Sequence, residues 1–126
     1  MKTIKLICTV LMSLSIGITC SARDSEAKIN IQNVGHHGDH NEYYDPADMP
    51  EVYYNSDLQE IIIYADGYAS FYDVDIISQS TMQLVLYTTI SGYGDDIDIS
   101  ALSDDNYTIV ITSSNNNQYV GQFTNY

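Results

Sequence analysis

The sequence predicts an all-β protein: an antiparallel β-sandwich of about seven strands, preceded by a signal peptide and a polar tether. Three observations carry that reading. From Met49 onward, runs of β-branched and aromatic residues recur at roughly ten-residue spacing, separated by short turn segments. Two of these runs, SFYDVDIIS (70–78) and DIDIS (96–100), alternate apolar and polar residues with period two, as a strand with one wet face does. No segment carries apolar residues sustained at helical spacing.

Taken in order, Pro50 leads into EVYYN (51–55), and Asn55-Ser56-Asp57 makes a turn. EIIIYA (60–65) follows and ends at Asp66-Gly67, a dipeptide that favours a two-residue hairpin because it accepts positive φ. In SFYDVDIIS, Tyr72, Val74 and Ile76 take the inner face; Asp73 and Asp75 face out, where charge discourages edge-to-edge pairing. MQLVLYTTI (82–90) runs to the Gly92-Tyr93-Gly94 turn, and DIDIS then points Ile97 and Ile99 inward. NYTIVIT (106–112) and QYVGQF (118–123) close the chain as a hairpin around the Ser113–Asn117 run. The loop before Tyr107 leads straight into a strand with Ile109 and Ile111 inward, so the Tyr107 phenol is expected inside with its hydroxyl reaching back to backbone. Tyr64 or Tyr72 is expected to join it in the core.

The N-terminus reads as an export signal over residues 1–22. Lys2 and Lys5 are the basic region, Leu6 to about Ile18 the apolar core, and Cys20-Ser21-Ala22 the small residues before a cut after Ala22. The apolar core is shorter than the ~20 residues a membrane-spanning helix needs, so no membrane insertion of the mature chain is expected. The alternative is a lipid anchor at Cys20, against which Gly17-Ile18-Thr19 lacks the usual Leu and the small residue before such a cysteine. The expected address is extracytoplasmic: secreted or periplasmic, with a surface lipoprotein as the alternative. Residues 23–48 read as the polar tether, with one candidate edge strand at Ile29, Ile31 and Val34, and residues 49–126 as the sandwich. Both cysteines, Cys8 and Cys20, lie in the signal, so a domain cut after Ala22 must hold together by packing, without disulfides.

Of the mature chain's charged residues seventeen are acidic and two, Arg23 and Lys28, are basic, a net charge of −15. Beyond Lys28 there is no Lys or Arg. Nucleic acid is therefore excluded as a partner, since its binding works by neutralising phosphates with cationic side chains. Anionic lipid is disfavoured on the same ground.

Three further segments carry the signs of a family. The chain has INIQNVG (29–35), then the strand after Pro50 with EIIIYA, and finally LSDDNYTIVI (102–111) with NQYVGQF (117–123). With these motifs, residues 29–126 resemble the small secreted immunoglobulin-like domain-of-unknown-function proteins of gut Bacteroidales. The resemblance implies an immunoglobulin-like fold and an extracytoplasmic address, and no activity. One departure is Asp105-Asn106 before the corner tyrosine, where Pro-Gly or Ser-Gly is usual; Asn accepts positive φ.

Candidate sites are sparse. His36, His37, Asp39 and His40 lie close together in the tether and are of the types that bind zinc or copper; the plainer reading is a polar linker. His37-x-Asp39-His40 matches only the later part of a metallo-β-lactamase-type H-x-H-x-D-H motif, and Gly35 stands at its first histidine. Asp95, Asp96 and Asp98 are candidate calcium ligands, but six to eight converging oxygens are needed and a solvated face is the competing account. Tyr43, Tyr44, Tyr68 and Tyr93 fall in the tether or turns, where tyrosine offers contact area at low entropic cost. No G-x-S-x-G is present, and every histidine of the mature chain lies in the tether, so nucleophilic catalysis has no support. There is no tryptophan to stack on sugar rings. No catalytic residue and no cofactor are expected. The sequence thus predicts an exported, non-catalytic module that binds a protein or glycan, the alternative being a cation- or metal-binding protein that uses the histidine segment or the acidic loops.

Overall fold

A computed structural model describes residues 26–34 and 46–126. Every regular element among them is a strand: β1 (Glu26–Ile29), β2 (Gln32–Asn33), β3 (Glu51–Asn55), β4 (Glu60–Tyr64), β5 (Phe71–Ser78), β6 (Leu84–Ser91), β7 (Gly94–Asp98), β8 (Asp105–Ser113) and β9 (Gln118–Asn125). They form a four-stranded sheet of order β1-β3-β4-β7 and a five-stranded sheet of order β2-β9-β8-β5-β6. All pairs are antiparallel. The seven strands expected after Met49 are all present.

The period-two patterns decide which side chains meet between the sheets. Val52, Tyr54, Ile61, Ile63 and Ile97 of the first sheet pack with Tyr72, Val74, Ile76, Tyr107, Ile109, Ile111, Tyr119 and Phe123 of the second. Phe123 is stacked between Tyr54 and Tyr107 at centroid separations of 5.6 and 5.4 Å, which ties the sheets through one aromatic column. Of the two tyrosines expected to join Tyr107, Tyr72 is buried, whereas Tyr64 is 51% exposed and packs edge-on against Tyr53. Parity explains the split: Ile61 and Ile63 take the inner face of β4, which leaves Tyr64 on the outer one.

Two sequence expectations need correction. Asp66-Gly67 does not close a hairpin between β4 and β5. Gly67 does have positive φ (84°), but β4 pairs with β3 and β7, and β5 belongs to the other sheet. The loop is carried across by Ala65 N–H to Tyr93 O (3.3 Å) and Gly67 N–H to Gly92 O (3.0 Å). The dipeptide specified a sharp bend, and the pairing partner was decided by burial. Residues 26–34, read as tether with one candidate edge strand, supply two strands, one on each sheet. Ile29 is buried in β1 opposite Val52, and after Asn30-Ile31 the chain pairs with β9 through Gln32 and Asn33.

The tight hairpins are built as expected at Asn55 and at Ser113–Asn117. The Asn55 side chain accepts the Leu58 N–H at 2.9 Å. Asn116 takes positive φ (69°) while Ser113 N–H donates to Asn117 O at 2.9 Å.

Candidate functional site

Three loops gather at one end of the sandwich: Ala65–Ser70 between β4 and β5, Gly92-Tyr93 between β6 and β7, and Ser114–Asn117 between β8 and β9. Their backbones interlock. Besides the two bonds carrying β4 across, Gly92 N–H donates to Ser70 O (3.1 Å) and Ser114 N–H to Phe71 O (3.0 Å). The Asn115 side chain donates to Tyr68 O at 3.2 Å. Gly92 is needed for this closeness, because a Cβ there would stand 1.9 Å from the Ala69 carbonyl oxygen.

Under these loops lies Asp48, 4% exposed. Its carboxylate accepts from the Tyr119 hydroxyl and from the Asn115 and Asn117 amides (3.0–3.2 Å). The Tyr72 hydroxyl donates to its carbonyl oxygen at 2.7 Å. Burial is the largest single influence on the carboxyl and opposes ionisation. Hydrogen bonds from Ser113, Tyr119, Asn115 and Asn117 together outweigh it and hold the group below the ordinary carboxylate value. Tyr72 is pushed up to about 12 by burial first, then by the charges of Asp48 and Asp66. Asp48 is thus a fixed anion that fastens the loop end, with its acceptor positions taken by the protein itself.

Above this anchor two of the tyrosines singled out from sequence project outward. Tyr68 is 64% exposed and Tyr93 is 74% exposed. Their loops are directly bonded to one another, and the Tyr93 ring lies over Gly67, where a Cβ would come within 2.7 Å of it. Phe71, at the start of β5, adds a partly exposed ring at the same end. Tyr43 and Tyr44, like His36, His37, Asp39 and His40, lie outside the described residues.

The acidic candidates are arranged differently. Asp95, Asp96 and Asp98 lie along β7, all exposed. Asp95 accepts the Asp96 N–H (2.8 Å) and Asp98 accepts the Ser100 N–H (2.9 Å). Asp98 is held below its ordinary value by its backbone and side-chain hydrogen bonds with Ser100. Among the described residues no three His, Cys, Asp or Glu side chains are grouped so as to hold a metal ion. Asp73 on β5 serves its own sheet, accepting from Thr89 (2.6 Å) and Tyr87 (3.0 Å).

Sequence reasoning missed Asp48, placing it at the end of the tether. Its one local sign is Pro46-Ala-Asp-Met-Pro50, a proline-bounded turn closed by Met49 N–H to Pro46 O at 3.1 Å. The Asn115, Asn117 and Tyr119 side chains that meet it lie 67 to 71 positions downstream, beyond the reach of any spacing rule.

No protein-family model and no curated protein matches the chain. Among solved structures it is similar to a DUF3244 family protein from Bacteroides vulgatus with an immunoglobulin-like β-sandwich fold. The TM-score is 0.62 at 12% identity, covering 80% of this chain and 99% of that one. The chain is an immunoglobulin-like β-sandwich and shares its fold with that domain-of-unknown-function protein, as the sequence resemblance implied.

Proposed function

We propose that the protein is an exported, non-catalytic immunoglobulin-like module that binds a protein or glycan outside the cytoplasm through the aromatic rim of its loop end. One observation carries this reading: Tyr68 and Tyr93 are exposed on two loops that hydrogen-bond to each other above a buried anchor. Tyrosines held on a rigid frame give large contact area with little conformational entropy to lose on binding. The neighbouring Asp66 and Asn116 add a carboxylate and an amide to the rim. The nearest buried acid, Asp48, is committed to structural hydrogen bonds, which supports binding over acid–base chemistry.

The test is binding of wild type and Tyr68→Ala/Tyr93→Ala to arrayed glycans and to envelope proteins of the producing organism. A ligand retained by wild type and weakened at least roughly tenfold in the double variant, the usual reach of a pair of contact hot spots, supports the rim. Equal retention by both proteins refutes it. Intact mass of the exported protein tests the address, because a chain starting at Arg23 and one acylated at Cys20 differ by the lipid and by Cys20-Ser21-Ala22.

A further inference from the structure

The two sheets leave four strand edges: β1 and β7 on one, β2 and β6 on the other. An open edge presents unpaired N–H and C=O groups that template further pairing, and proteins guard such edges with charge, brevity or bends. Three edges here are guarded. β1 carries Glu26 and Lys28, β2 is two residues long, and β7 carries Asp95, Asp96 and Asp98. The fourth is not: the eight residues of β6, LVLYTTIS, include no charge and no proline. Among the described residues β6 pairs with β5 alone, so every second N–H and C=O along it points away from the sheet. Leu84, Val85 and Tyr87 are exposed along it.

Past the Gly92-Tyr93 turn, β7 runs on the opposite sheet, and a groove of about 330 Å³ lies between the two edges. β6 lines it with Leu86, Thr88 and Ile90, and β7 with Asp95, Asp96 and Asp98. One wall is an uncharged strand whose outward backbone groups are unpaired among the described residues, and the other is anionic.

We infer that this groove takes an extended, cationic segment of another protein, added to β6 as an additional strand with Lys or Arg side chains facing the β7 carboxylates. Main-chain bonds supply the attachment and the acids select the partner. Charge argues for a foreign segment over a second copy. Beyond Lys28 this chain has no Lys or Arg, so pairing β6 with β6 would bring the β7 carboxylates of two copies toward each other without a counter-charge. The site is separate from the aromatic rim and stands or falls independently of it.

The test uses a fluorescent peptide of about ten residues, enough to span β6, in which Lys alternates with Val. One control replaces Lys with Glu; another replaces Val with Pro, keeping the charge but breaking the ladder of N–H donors. The Lys–Val peptide is expected to bind, to weaken as salt rises, and to slow amide hydrogen exchange across Leu84–Ser91. Both controls, and the Lys–Val peptide on Asp95→Asn/Asp96→Asn protein, are expected to bind at least roughly tenfold more weakly. These exposed, isosteric substitutions leave the fold intact, which circular dichroism checks. Tyr68→Ala/Tyr93→Ala is expected to leave peptide binding unchanged. Equal binding of the Lys–Val and Lys–Pro peptides would overturn the inference by reducing it to undirected charge attraction. Unchanged exchange in β6 would overturn it too, as would sedimentation showing a dimer whose β6 amides are already protected.

Discussion

The Tyr119 hydroxyl donates to the Asp48 carboxylate across 71 positions of sequence, joining the turn before β3 to the final hairpin. Asn115 and Asn117 reach the same carboxylate from that hairpin, and Tyr72 of the interior strand β5 reaches its backbone carbonyl. A domain with no cysteine among its described residues thus closes one end with a buried anion where a small exported fold often uses a disulfide.

Removing that anion takes an acceptor away from the buried Tyr119 hydroxyl and from the Asn115 and Asn117 amides. Asp48→Ala is expected to lower unfolding free energy by on the order of 3 kcal/mol in urea melts, the scale of losing hydrogen bonds to a buried charge. Asp48→Asn keeps the shape and is expected to cost less. A wild-type stability within error of Asp48→Ala would show that the cluster contributes nothing.

The same group sets an acid limit. The Asp48 carboxyl lies below its ordinary value of 3.8 in the fold, so the unfolded chain binds the proton first as pH falls. Its contribution is therefore full above the unfolded value and is lost as pH drops through the folded one. Asp105, half-buried and lowered by Ser78 and Ser80, and Asp98, exposed and lowered by Ser100, act in the same direction. Melts taken down to about pH 3 should show a shallower loss in Asp48→Asn than in wild type.

At high pH the sign reverses. Tyr72 is raised to about 12 from 10.0, so the folded state holds a proton that the unfolded chain releases. Its stabilisation is complete below about pH 10 and disappears as pH rises toward 12. Tyr72→Phe should remove this part of the alkaline loss, at the cost of the bond to the Asp48 carbonyl. An alkaline limb identical in wild type and variant would assign the loss to other groups.

What the sequence disclosed follows the range of the forces involved. Alternation in SFYDVDIIS and DIDIS is local, and it placed Tyr72, Val74, Ile76, Ile97 and Ile99 inward correctly. Turn chemistry at Ser113–Asn117 is local too. Asp66-Gly67 was legible as a bend but not as a crossing, because which sheet a strand joins depends on distant partners. Tyr68 and Tyr93 were legible as turn tyrosines, while the bonds that bring their loops together were not. The β6 edge was hidden because LVLYTTI reads the same in a central strand as at an edge.

The corner at β8 was expected from a tyrosine opening a strand after a loop, and the Tyr107 hydroxyl donates to Ser103 O at 2.6 Å. Beside it, buried Asn125 accepts from Tyr54 and donates to Leu102 O and Ser103 O. The β7–β8 loop is therefore held twice. Tyr107→Phe keeps the ring stacked on Phe123 and loses one bond, an expected cost of about 1 kcal/mol. Combined with Asn125→Ala, the loss should exceed the sum of the single changes, because each anchor alone still positions the Ser103 carbonyl. Additive losses would show the two anchors to be independent.

Gly92 tests whether the aromatic rim needs its interlocked loops. Its position has no room for a side chain: a Cβ would lie 1.9 Å from Ala69 O and 2.9 Å from the Ala69 carbonyl carbon, both backbone atoms that cannot swing aside. Gly92→Ala must therefore push the Ala65–Ser70 loop away and stretch the Gly67–Gly92 and Gly92–Ser70 bonds. The expected cost is about 1–3 kcal/mol, as for other insertions into filled space. The sheets pair elsewhere, so the fold should survive with faster amide exchange confined to Gly67 and Gly92. If the rim binds as a preorganised surface, Gly92→Ala should weaken ligand retention about as much as Tyr68→Ala/Tyr93→Ala while both tyrosines remain in place. Full retention by Gly92→Ala, with exchange at those amides accelerated, would mean that the tyrosines bind without their frame.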